Sequence, residues 1–84
     1  MKKYFGKLHE RNGEFEYIHP VLFESDAYPW PVLTHMAREF YPGEADEADG
    51  ENNGFYFFSG GICIKPDYVI AVTDEEYAVL SRFI

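Results

Sequence analysis

The chain has 84 residues and a mass of 9.8 kDa, room for a single compact domain over residues 1–84 with a small core, because a chain of this length buries only about 60% of its unfolded surface. Its formal charge is −8 and its hydrophobic fraction 46%. It is too apolar for a disordered acidic tail and too acidic to live on phosphate contacts, so direct binding to nucleic acid or to an anionic membrane is set aside. Cys63 is the one cysteine, which excludes an internal disulfide. No apolar run approaches the roughly 20 residues of a membrane span, and a cytoplasmic protein is expected.

Residues 1–11 hold Lys2, Lys3, Lys7 and Arg11 against Glu10, a net of +3 that leaves −11 for the rest. This segment alternates and then meets Asn12-Gly13, a pair suited to a tight hairpin turn because both central positions of a type I′ turn need positive φ. Using those two residues as the turn sets Glu10 opposite Phe15, Leu8 opposite Tyr17, Gly6 opposite His19 and Tyr4 opposite Val21. Tyr4, Leu8, Phe15, Tyr17 and Val21 then share the core face. The other face pairs Arg11 with Glu14 and His9 with Glu16, opposite charges as cross-strand neighbours prefer.

Ser25 and Asp26 offer N-cap oxygens, and a Pro-broken lead-in, Tyr28-Pro29-Trp30-Pro31, brings the chain to a helix expected to start near Pro31. Leu33, Met36, Ala37 and Phe40 fall on one helical face, which Trp30 extends, and Pro42-Gly43 stops the helix. Residues 44–53 hold five acids, Glu44, Asp46, Glu47, Asp49 and Glu51, and no base, the pattern of a solvated loop.

Gly54–Ile64 is uncharged and reads as an inner hairpin. A Gly60-Gly61 turn would oppose Phe58 and Cys63; a Ser59-Gly60 turn would oppose Phe57 and Ile62. Pro66 marks an edge or a bend, so Tyr68–Val72 is either a separate strand or the bent continuation of the one before. Thr73 and Glu76 form a capping box for a last helix, Val72 and Tyr77 a hydrophobic staple, and Tyr77, Leu80 and Ile84 an apolar face. The expected architecture is α+β: a small antiparallel sheet of four to five strands in ββ-α-ββ(β)-α order with the helices packed on one face.

The candidate chemistries fail on composition or spacing. Gly54–Phe58 has the aromatics of an RNA-binding strand but lacks its basic residue and its order of elements. His35 and Glu39 stand one helical turn apart without a third ligand, and His9 and His19 fall on opposite faces, so no metal site is expected. Glu47, Asp49, Glu51 and Asn53 alternate like the start of a calcium loop, but Asn52 replaces its glycine and Phe58 its closing glutamate. Cys63 reads as a buried apolar residue with no activating base. Ser59-Gly60-Gly61 lacks the lysine and the helix of a phosphate loop. Of the 15 acids, Glu16, Glu24 and Asp67 are placed for partial burial and none forms a catalytic pair. Neither a catalytic residue nor a cofactor is expected.

Seven Tyr, eight Phe and one Trp make up 19% of the chain, more than so small a core hides, so some of this surface is expected where proteins meet. With the acidity, this points to a non-enzymatic binding protein whose partner is a basic, nucleic-acid-handling protein. In size, charge and aromatic excess the chain is similar in outline to the small acidic inhibitors of phages and mobile elements, anti-CRISPR proteins among them, and to the immunity proteins of nucleases. The expected contacts are Glu44, Asp46, Glu47, Asp49 and Glu51, where carboxylates stand in for phosphates, with Tyr28, Trp30 and Tyr41 beside them. The alternative is an accessory or scaffold domain acting as a homodimer, with Tyr68–Val72 pairing across the two-fold axis.

Overall fold

A computed structural model describes residues 1–43, 45–47 and 54–84. The elements run β1 (Lys2–Asn12), β2 (Phe15–Ser25), α1 (Pro29–Arg38), β3 (Asp46–Glu47), β4 (Phe55–Phe57), β5 (Ile62–Val72) and α2 (Asp74–Leu80). The sheet is antiparallel in the order β2-β1-β5-β4-β3, which bears out the α+β class. Its spine is the long β1–β5 pair rather than the Gly54–Ile64 hairpin, since β4 contributes only three residues.

The first hairpin turns one residue later than Asn12-Gly13 predicts. Asn12 is opposite Phe15, Leu8 opposite His19 and Tyr4 opposite Phe23. Gly13, at φ 63°, is the first central residue, and Glu14 has no need of positive φ. The slip is two positions along β2, so every side chain keeps its expected face. It gives buried Glu10 a partner: His19, which the predicted register would leave beside Gly6, now lies one pair from Glu10.

The inner face of β1 presents Tyr4, Gly6, Leu8 and Glu10, all buried. Here α1 lies so close that a Cβ on Gly6 would stand 2.9 Å from Leu33 Cδ1. Leu8, Leu33, Ala37, Phe55, Phe57 and Ile64 form the core, with Trp30, Met36 and Phe40 packed against it. The apolar helix face read from the sequence is therefore the buried one. The helix begins at Pro29, two residues early, with both prolines in its first turn where their missing N–H groups are not needed. Neither Ser25 nor Asp26 caps it. Tyr28 is the N-cap, and Ser25 Oγ instead accepts the Ala27 N–H at 3.0 Å.

Asp46 and Glu47 are a short edge strand on β4, not loop. The β4–β5 pairing sets Phe57 opposite Ile62 and Tyr56 opposite Cys63, as a Ser59-Gly60 turn requires. The strand β5 runs unbroken through Pro66, with Asp67 as the extra residue of a bulge against β1, so Tyr68–Val72 continues it. In α2 the capping box forms as read: Thr73 Oγ1 accepts the Glu76 N–H at 3.1 Å and Glu76 Oε1 accepts the Thr73 N–H at 2.9 Å. These two contacts hold the Glu76 carboxyl below its usual range, the Thr73 N–H contributing most. No residue of α2 is buried, so it is α1 that forms the second layer. Asp74 takes Lys3 Nζ at 3.1 Å, and Glu24 takes it at 3.2 Å. The two carboxylates, Asp74 first, raise the lysine's affinity for its proton.

Candidate functional site

The β1–β2 and β4–β5 turns lie side by side at one end of the sheet, where Arg11, Gly13, Gly60, Gly61 and Cys63 line a shallow cleft of about 180 Å³. Beneath them, on the inner face, sits the one charged side chain buried among the described residues, Glu10, at 3% exposure. Alternation along β1 sends it inward with Tyr4 and Leu8. A buried carboxylate is unfavourable unless both oxygens find donors. Here His19 Nε2 lies 2.6 Å from Glu10 Oε1, and Tyr41 Oη donates to Glu10 Oε2 at 2.9 Å. Burial and the adjacent Glu10 carboxylate raise the Tyr41 phenol above its ordinary range, burial contributing most.

Rings extend outward from this network. His19 packs on Phe40 at 4.7 Å between centroids, Phe40 on Tyr41 at 4.9 Å, and Tyr41 meets Phe57 and Phe58 edge-on at 5.5 and 5.6 Å. Tyr17 adjoins His19 at 6.5 Å. Phe15, Tyr17 and Phe58 are left 65%, 47% and 64% exposed. The first two belong to the expected core, but α1 ends short of this part of the sheet and leaves their face uncovered.

Phe58 carries a further peculiarity. The Gly60 N–H donates to the Phe57 carbonyl and the Gly61 N–H to the Phe58 carbonyl, both at 3.2 Å, so the chain reverses over Phe58–Gly61 in two overlapping turns, the second centred on Ser59 and Gly60 and the first on Phe58 and Ser59. Their φ values are 54° and 58°, and among the described residues they are the only non-glycines with positive φ. The left-handed region disfavours an L-residue by roughly 1–2 kcal/mol. A bulky aromatic is thus held in a strained conformation and turned mostly toward solvent.

Of the contact residues read from the sequence, Tyr28 is exposed at 73%. Trp30 is packed against the core and Tyr41 is engaged with Glu10 and three Phe rings, so neither is a free contact. Asp46 and Glu47 lie in β3, and Glu44, Asp49 and Glu51 fall outside the described residues, as does most of the calcium-like segment. Of the three acids placed for partial burial, Glu24 is partly covered, its side chain 44% exposed, whereas the Glu16 side chain is 67% exposed and Asp67 is exposed. Cys63 is half-buried and free. His9 and His19 do occupy opposite faces, His9 bonding Glu16 at 3.1 Å. Among the described residues no three His, Cys, Asp or Glu side chains gather as a metal site, and no helix is long and apolar enough to cross a membrane.

Glu10 was visible in the sequence as an acid in the inward register of Tyr4 and Leu8. His19 was hidden by the turn slip, and Phe58 had no signal, since Phe-Ser is not a pair that marks positive φ. No family model matches the chain, and neither does any curated protein or solved structure.

Proposed function

We propose that this chain is a non-enzymatic protein-binding domain that docks on a basic, nucleic-acid-handling protein, in the manner of the small acidic inhibitors that phages and mobile elements direct at their hosts' defences. One observation carries the reading: Phe58, an exposed aromatic kept at positive φ. Strain persists where surrounding structure over-determines it and function uses it, and a projecting aromatic is the commonest kind of interface anchor. Phe15 and Tyr17 add exposed apolar surface on the inner face, and Glu14, Glu16 and Glu39 are exposed acids, Glu16 on the opposite face beside His9. A net charge of −8 draws a cationic partner in and orients it, while burial of the aromatics holds it. The acids Glu44, Asp46, Glu47, Asp49 and Glu51 are part of that net charge. Glu10, the one carboxylate buried among the described residues, has both oxygens engaged by His19 and Tyr41, an arrangement suited to holding the aromatic end in place rather than to proton transfer.

The test is affinity capture from the native host with three baits: the natural chain, Phe58→Ser, and Glu14→Gln with Glu16→Gln. The expected result is one basic protein retained by the natural chain, released by moderate salt, and lost or much weakened on the Phe58 variant. Retention of a neutral or acidic protein that is indifferent to salt would contradict the proposal.

A further inference from the structure

Among the described residues, β2 and the part of β5 beyond Ile64 each have one side without a ladder partner, and the two are built differently. Along β2, Pro20 sits mid-strand opposite Lys7. The Tyr68 carbonyl turns toward β1, 3.2 Å from where a Gly6 Cβ would stand, which makes Lys7 and Tyr68 a bonded pair and points the Lys7 backbone at β5. The position of Pro20 that lacks an N–H therefore faces outward. A proline there, with His19, Glu16 and Glu24 on the same strand, blunts the β2 margin against pairing. Beyond Ile64, β5 has no ladder partner on its second side among the described residues. By alternation from Tyr68, the N–H and C=O groups of Val69 and Ala71 point into that open side. The stretch Tyr68-Val69-Ile70-Ala71-Val72 carries no charge, no proline and no glycine. Tyr68 and Ile70 are each 41% exposed, and Ala71 is exposed. An unguarded apolar strand margin of this kind is normally covered.

We infer that β5 pairs antiparallel with β5 of a second copy of this chain, about a two-fold axis at Ile70, joining two five-stranded sheets into one. Val69 of each copy then exchanges both backbone hydrogen bonds with Ala71 of the other, and Ile70 meets Ile70. The sequence of the strand selects a second copy as occupant. Two chains of charge −8 repel, and this is a stretch where neither presents a charge to the other. The flanking Asp67 falls opposite Thr73 of the second copy rather than opposite an acid. A two-fold axis also makes one short strand sufficient, since the same surface serves both partners. This inference is independent of the basic partner at the turn end, which lies on a different part of the sheet.

Sedimentation equilibrium of the natural chain is expected to give twice the 9.8 kDa chain mass. Ala71→Pro removes an outward N–H and no bond within the chain. Ile70→Lys places like charges against each other at the axis. Both are expected to give the single-chain mass with an unchanged circular dichroism spectrum, whereas Phe58→Ser leaves the dimer intact. A natural chain that stays monomeric at its highest soluble concentration overturns the inference, as does a dimer that survives both edge variants. Should either variant fail to fold, amide exchange in the natural chain decides. Protection of Val69 and Ala71 that rises with concentration supports the pairing, and protection independent of concentration refutes it.

Discussion

Between β1 and β2 the chain reverses on Gly13 and Glu14, with positive φ only at the glycine; between β4 and β5 it reverses over Phe58–Gly61, with positive φ at Phe58, Ser59 and Gly60. The first hairpin contains Asn-Gly, the pair best suited to a turn with two positive φ values, and does not use it that way. The second starts its reversal on two residues poorly suited to positive φ, Phe58 and Ser59, ahead of Gly60. The two turns are neighbours across one cleft, yet they rest on different support. Around Gly13 an added Cβ would meet nothing within 4 Å, and the position of that turn follows from the strand register that brings His19 to Glu10. The Phe58 turn is held from below by Tyr41, and Tyr41 by Glu10. In both hairpins contacts beyond the turn override local preference, through the strand register in the first, where Glu10 meets His19, and through packing under the turn in the second.

That contrast is open to direct attack. Tyr41→Ala removes the ring that meets Phe40, Phe57 and Phe58 and leaves Glu10 short of a donor. It is expected to cost about 3 kcal/mol in urea unfolding and to loosen the Phe58 turn, seen as faster amide exchange at Gly60 and Gly61. His19→Ala removes the other donor to Glu10, with a loss of about 2 kcal/mol. Because the support runs through Glu10, Gly60 exchange should quicken here as well; unchanged exchange would separate the network from the turn. Gly13→Ala asks an unsupported turn to hold alanine at φ 63° and should lose about 1 kcal/mol, with Gly60 exchange unaffected.

The smallest effect is one of pH. The folded state holds the Tyr41 proton more tightly than the unfolded chain does, because of burial and the Glu10 carboxylate. The resulting stability is complete below the ordinary phenol pKa of about 10 and falls as pH rises above it, until Tyr41 itself ionises. The melting temperature of the natural chain should therefore drop more steeply above pH 10 than that of Tyr41→Phe. Parallel curves would mean that the phenol is not held by Glu10.

The helices show where the sequence was legible. Leu33 and Ala37 announce a buried face by their spacing, and Thr73 with Glu76 announces a cap, and both are found. The well-capped α2 nonetheless buries nothing, and the uncapped α1 carries the core, because caps are written in neighbouring residues whereas burial depends on what the sheet leaves uncovered. The inward register of β1 was readable from alternation, Glu10 included. The two-residue slip of β2 was not, since it keeps every face and is favoured by a contact, Glu10 with His19, that spans the strands. Phe58 lay beyond reach for the same reason: its φ is imposed by packing under the turn and not by its own residue type.

The most direct measurement is the thermal midpoint of Phe58→Asn with Ser59→Gly, which gives the turn the residues its geometry favours. If Phe58 is kept for binding and not for folding, relief of the strain should stabilise the fold by about 1–2 kcal/mol and raise the midpoint by several degrees. A lowered midpoint would show that Phe58 holds the domain together, and would contradict its assignment as the anchor of an interface.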